Sequence, residues 1–147
     1  MRYVLLLLFA ALMSAPAHAQ VRISDDPGGR VEAYIELYKG IRAAGYSVMI
    51  DGKCLSACTL VLSYVPRKKV CVTNRAVFGF HAAFDVELRN YGFFATQHYA
   101  GPNPKVTNSM MNSYPKVVQE WIRHQGGLTQ DLKMMPASVL NGFYKRC

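Results

Sequence analysis

Ser47-Val48-Met49-Ile50-Asp51-Gly52-Lys53-Cys54-Leu55-Ser56-Ala57-Cys58 is the stretch on which the fold turns. Ser47 to Ile50 has the pattern of a short strand, Asp51-Gly52 is a turn pair that closes it, and Ala57 to Val65 has the apolar content of a buried helix. A small serine between a strand and a helix start sits where backbone N–H groups face a developing negative charge. Upstream lies Pro27-Gly28-Gly29, and downstream Gly79-Phe80-His81, whose histidine ends a strand pattern. Each motif alone is a weak signal. Their order and spacing are those that bring a nucleophile to a base.

The segments between these motifs fit a βαβ chain. Val21 to Ser24 alternates as a strand, and Asp25-Asp26-Pro27-Gly28-Gly29 breaks it. Val31, Tyr34, Ile35, Tyr38 and Ile41 recur at three- and four-residue steps, one face of an amphipathic helix that stops at Gly45. Val70 to Val72 and Ala76 to Phe80 are further strands around Thr73-Asn74, after a turn at Pro66 to Lys69. Strand, helix, strand, helix, strand predicts right-handed crossovers over a parallel sheet. Phe84 to Lys105, rich in aromatics, Asn and Gly, reads as a long loop or hairpin, with Tyr91, Phe93, Phe94 and Tyr99 able to cap a groove or to form a packing cluster. Met111, Tyr114, Val118, Trp121 and Ile122 mark a helix ending at Gly126-Gly127, regular from Pro115 with Ser113 as its cap. A last short helix is expected from Pro136 towards Gly142.

Composition bounds the setting. Met1-Arg2-Tyr3, the apolar run Val4 to Leu12 and Ala17-His18-Ala19 have the form of an export signal over residues 1–19, leaving residues 20–147 as one domain in the periplasm or outside the cell. The apolar run is shorter than the about 20 residues a spanning helix needs, so no membrane-spanning segment is expected. With 17 Lys and Arg against 9 Asp and Glu, the chain is basic. Because the cations are scattered, this charge either keeps the protein in solution or favours anionic envelope material. No nucleic-acid reader motif is present, and no nucleic-acid partner is expected.

The four cysteines, Cys54, Cys58, Cys71 and Cys147, form an even set that reads as two disulfides, with three connectivities open. Cys-x3-Cys without a second such pair is a poor zinc pattern, so no metal and no cofactor is expected. The expected pairing is Cys54–Cys58, which would brace the turn around Ser56, and Cys71–Cys147, which would tie the C-terminal end to the sheet. Closing the second loop is worth ~4 kcal/mol in the chain-entropy account.

Asp26 to Val31 resembles the Pro-Gly-Gly loop of the proteolytic subunit of Clp protease, Gly52 to Cys58 its nucleophile elbow, and Asn74 to His81 the strand that carries its base. The chain is similar to small exported Clp-like or crotonase-fold proteins with a Cys-x-Ser-Ala-Cys core, best from about Ile23 to Ala83. The resemblance implies an α/β fold, a trimmed crotonase-like core of βαβ units with a C-terminal helical segment. It implies Ser56 as nucleophile, His81 as base, and backbone N–H groups of Gly28, Gly29 and Ala57 as oxyanion donors.

Beside this, Ser56 also reads as a plain helix cap and His81 as a structural strand-end histidine. His98 and His124 are weaker candidates for the base. The family's acid falls by counting at about Met134 or Met135, and Asp131 lies about one helical turn earlier. Asp131 as a substitute acid, a slow Ser–His dyad, and a site that is no longer catalytic are therefore three open alternatives. The expected function is an envelope serine hydrolase acting on peptide or ester bonds, or a non-catalytic protein that binds a peptide or envelope ligand in the same crevice. An oligomer is compatible with the resemblance, although the strand layer before the loop is short. Export removes the family's cytosolic ATPase partner from the expectation.

Overall fold

The computed structural model describes residues 19–91 and 94–147, so the export signal expected over residues 1–19 lies outside the described residues but for Ala19, and so does Phe93. The chain is a mixed α/β protein. Its elements are β1 (Gln20–Asp26), α1 (Val31–Ala43), β2 (Ser47–Leu55), a 3-10 turn (Ser56–Leu60) running into α2 (Val61–Tyr64), β3 (Val70–Val72), β4 (Val77–Phe80), β5 (Phe84–Tyr91), β6 (Phe94–Pro102), α3 (Pro104–Ser113), α4 (Lys116–His124), β7 (Lys133–Pro136), a 3-10 turn (Ala137–Leu140) and β8 (Lys145–Arg146).

The main sheet has six strands in the order β7-β4-β2-β3-β8, with β1 also on β2. β1 runs parallel to β2 along its length, from Gln20 opposite Ser47 to Asp26 opposite Cys54. A strand has two edges, so β3 and β4 share the other one in succession. β3 takes Val48 to Ile50 and β4 takes Lys53 to Leu55, both parallel. Among the described residues β7 alone is antiparallel in this sheet, on β4. β2 is thereby the hub, and its C-terminal end delivers Ser56.

Each face of α1 follows from its pattern. Tyr38 and Ile41 are buried, Val31, Tyr34 and Ile35 pack partly, and Leu37 is exposed. Its C-terminus closes by Gly45 N–H donating to Arg42 O at 3.1 Å and Tyr46 N–H to Ile41 O at 3.1 Å, the paired bonds of a Schellman ending. The core beneath the sheet includes Phe78 at 0% and Phe80 at 1% exposure, each worth about 1.5–3 kcal/mol on burial. Phe80 also meets Tyr114 edge-on at 5.3 Å and Trp121 at 6.1 Å, which docks α4 on β4.

Both expected disulfides are present, Cys54–Cys58 with Cα atoms 5.3 Å apart and Cys71–Cys147 with 5.1 Å. The second fastens β8 to β3, where Cys147 N–H also donates to Val72 O. Among the described residues no helix is long and apolar enough to cross a membrane.

Several expectations are corrected. Asp51-Gly52 does not close the second strand, because β2 continues to Leu55. A Cβ at Gly52 would lie 1.7 Å from Ser24 O, so this glycine admits β1 at the register shift between Ile23 and Asp25. Asp51 is buried and satisfied by Arg22 and Arg75 guanidinium groups and by the Thr73 hydroxyl at 2.9 Å. The helix expected across Met111 to Ile122 is two helices, broken at Tyr114-Pro115, where Pro biases the residue before it to extended backbone. Ser113 does not cap α4; its hydroxyl donates to Met110 O at 2.8 Å and lies 3.0 Å from Ser63 Oγ. Of the two readings of the segment from Phe84, loop or hairpin, the structure has the hairpin, β5 antiparallel to β6. The C-terminal part is less helical than expected: β7 and β8 are added strands, and the last helix is a single 3-10 turn.

Candidate functional site

The Pro-Gly-Gly loop is held from within. Asp26 Oδ1 accepts the Gly28 N–H at 2.8 Å, an Asx turn, and the Tyr34 hydroxyl at 2.5 Å. Burial first, then the Asp26 hydrogen bond and charge, push the Tyr34 phenol up to about 12. Gly28 has φ +82°, and a Cβ there would lie 2.5 Å from Leu55 O, 2.7 Å from Ser56 Cβ and 2.9 Å from Ala57 N. Glycine is required twice over, by conformation and by space. The loop thus presses directly on the turn that carries Ser56.

Among the described residues Ser56 is the one non-glycine with positive φ, at +54°. An L-residue in this region costs about 1–3 kcal/mol, and it persists where the surroundings over-determine it. They do so here. The Thr59 hydroxyl donates to Ser56 O at 2.6 Å, Thr59 Oγ1 and the Tyr114 hydroxyl lie 2.7 Å apart, and the Tyr38 hydroxyl donates to Cys58 O at 2.9 Å. The Cys54–Cys58 bridge then closes a ring of chain around Ser56. Ser56 is the first residue of the 3-10 turn, not its cap, and its hydroxyl makes no hydrogen bond among the described residues.

His81 follows the last residue of β4. Its Nδ1 lies 2.7 Å from Ala82 O, and its ring stacks on Phe84 at 5.8 Å and 23°. A carbonyl oxygen only accepts, so Nδ1 carries the hydrogen and donates it. The neutral ring then keeps its lone pair on Nε2, the form a general base needs.

Ser56, His81, Gly28 and Gly29 line one cavity of about 450 Å³, with Phe84 and Met110 among its apolar walls. Of the expected oxyanion donors, Gly28 N–H is committed to Asp26, whereas Gly29 N–H is engaged in no bond among the described residues. Ala57 N–H lies in the first turn of its helix, where such groups have no partner within the helix. Ser56 and His81 share the wall without a direct hydrogen bond.

Other candidates are not brought there. Asp131 is exposed ahead of β7 and does not line the cavity. His98 bonds Thr96 Oγ1 at 2.9 Å on the hairpin, and His124 is exposed at the end of α4. Met134 and Met135 pair with Gly79 and Phe78. Tyr99 packs on Phe84 at 5.7 Å and accepts from Gln130, outside the cavity wall; the side chains of Tyr91 and Phe94 are outside the described residues. Sequence reasoning missed Glu32, whose carboxylate lines this wall together with that of Asp85, which accepts from Asn103 Nδ2 at 2.8 Å. A turn-forming Asp26 and a helix-face Tyr34 gave no sign that they would brace the loop. Among the described residues no group of three His, Cys, Asp or Glu is placed to hold a metal ion. No protein-family model matches this chain, and the site stands on its own geometry.

Proposed function

We propose that the chain is a serine hydrolase of the bacterial envelope, a trimmed relative of the Clp proteolytic subunit and other crotonase-fold proteins, cleaving peptide or ester bonds with a Ser56–His81 dyad. The observation that carries this reading is the left-handed Ser56 at the end of β2, pressed by Gly28 and facing the same cavity as His81. Strain held by so many contacts is characteristic of functional turns. Two disulfides fit an exported protein.

In this reading Ser56 Oγ attacks the carbonyl carbon while His81 Nε2 takes its proton. The carbonyl oxygen becomes an oxyanion received by the N–H groups of Gly29 and Ala57. The imidazolium returns the proton to the leaving amine or alcohol, and an acyl-serine forms. Water, deprotonated by the same Nε2, releases the acid and restores Ser56. Among the described residues no carboxylate is hydrogen-bonded to the imidazole; loss of that acid from a triad lowers turnover by ~10^4, so in this reading the enzyme is slow.

A second reading, a binding protein that uses the cavity for a peptide or envelope ligand, is favoured by the absence of a Ser56–His81 hydrogen bond and by the position of Asp131. A fluorophosphonate probe separates the two. It is expected to label Ser56 and not Ser63, which is bonded to Ser113. Labelling vanishes in Ser56→Ala and falls by about 10^2–10^4 in His81→Ala. Folded, oxidised protein that takes no label and turns over no peptide or activated ester at Ser56 would leave the binding protein.

A further inference from the structure

The unusual feature of His81 is that its Nδ1–H partner is main chain, and that this main chain is itself fixed. A trans peptide is planar, so whatever holds the N–H of Ala83 also aims the C=O of Ala82. Ala83 N–H donates to Thr107 Oγ1 at 2.9 Å, and Thr107 Oγ1–H donates onward to Asn103 O at 2.8 Å. The neighbouring groups are taken as well, Ala82 N–H by Thr129 O at 2.6 Å and Ala83 O by Asn103 N–H at 2.9 Å. Thr107 stands in the first turns of α3, which starts at Pro104 and is capped by Asn103 Oδ1 accepting the Val106 N–H. Three hydrogen bonds therefore run in one direction, from the imidazole through a peptide and a hydroxyl into the start of a helix.

We propose that Thr107 is a positioning residue for His81, acting through the Ala82–Ala83 peptide to hold the imidazole in its Nδ1–H tautomer. The hydroxyl aims the carbonyl and, by engaging the far end of the same amide, polarises it so that its oxygen is a better acceptor. The peptide performs the orienting part of a carboxylate's task and not the charge-stabilising part, which matches a dyad that is slow but not dead. The charged groups on the wall around His81 are Arg30 and Glu32 from the start of α1 and Asp85 from β5. None of them is hydrogen-bonded to the ring. The consequence for rate rests on the hydrolase reading; the tautomer does not.

The test is nitrogen NMR of ¹⁵N-histidine-labelled whole protein, with the fluorophosphonate labelling rate measured on the same samples. Wild type is expected to show His81 with a protonated Nδ1 and a bare Nε2. Thr107→Val keeps the shape and removes the hydroxyl. It should give a mixture of tautomers and a labelling rate lower by roughly tenfold, the size of one lost hydrogen bond. Thr107→Ser should restore both. An Nε2–H tautomer in wild type overturns the proposal without any variant, should the valine protein not fold. So does a valine protein with wild-type tautomer and rate. If wild type never labels while its tautomer still shifts in Thr107→Val, the positioning role stands and the hydrolase reading falls.

Discussion

β2 serves two sites, and they treat charge in opposite ways. At Asp51 the strand buries a carboxylate and surrounds it with Arg22, Arg75 and Thr73, drawn from β1 and from the turn between β3 and β4. Hydrogen bonds from Arg75 first, then from Thr73 and Arg22, hold that carboxyl well below the usual carboxylate range. A few residues on, at Ser56, the imidazole that would profit from a carboxylate has a peptide carbonyl instead. The difference teaches that a full set of charges around a buried acid is no sign of chemistry. Asp51 joins strands, while the turn at Ser56 is set by backbone shape.

Gly28→Ala is the strongest way to break that contrast. The new methyl group meets backbone atoms that cannot turn aside, so the loop must leave Ser56 and the Gly29 N–H must leave the cavity. Labelling of Ser56 is expected to drop by about 10^2–10^3, the cost of losing an oxyanion donor. A glycine that served packing alone would show a lowered urea midpoint with labelling unchanged.

Asp51→Asn probes the other side, with a smaller effect on chemistry. The urea midpoint at neutral pH should fall, and Ser56 should still be labelled at near the wild-type rate. The pH dependence has a definite sign. Because the folded carboxyl titrates below its unfolded value of about 4, its stabilisation is complete above that pH and is lost as the pH falls through the lower folded value. The gap between wild type and Asp51→Asn should therefore narrow on acidification below about 4. A variant that keeps its fold and loses its label would make Asp51 part of the site after all.

Asp131→Asn is expected to change least: labelling rate and urea midpoint should stay at the wild-type values. A large fall in labelling alone would bring an acid back to His81 and erase the contrast with Asp51.

Much of this arrangement is legible in the residues. Val31, Tyr34, Tyr38 and Ile41 announce α1 because a helix shows one face to a core. Cys54 and Cys58 announce their bridge because one lies at the end of the strand and the other in the 3-10 turn, which brings their Cα atoms into range. The length of β2 is not legible. Asp51-Gly52 has turn chemistry locally, and only distant groups, Arg22, Arg75 and Ser24 O, make it strand. β7 and β8 are too short to show a period, and Met135 is defined by its pairing with Phe78. In the site, Gly28, Ser56 and His81 can be read because their side chains, or the lack of one, are the message. Thr107 cannot, since its partner is the main chain of Ala83 and any residue supplies that N–H.

The Cys71–Cys147 bridge spans a sequence separation of 76 and so makes a covalent ring of residues 71–147. β4, His81, the β5–β6 hairpin and Thr107 all lie on that ring; Ser56 lies before it, in the small ring closed by Cys54–Cys58. A single backbone cut in the hairpin would open the ring without releasing either piece. His81 and the helix that carries Thr107 would remain parts of one covalent body, joined through sulfur on one side of the cut as securely as through peptide bonds before it.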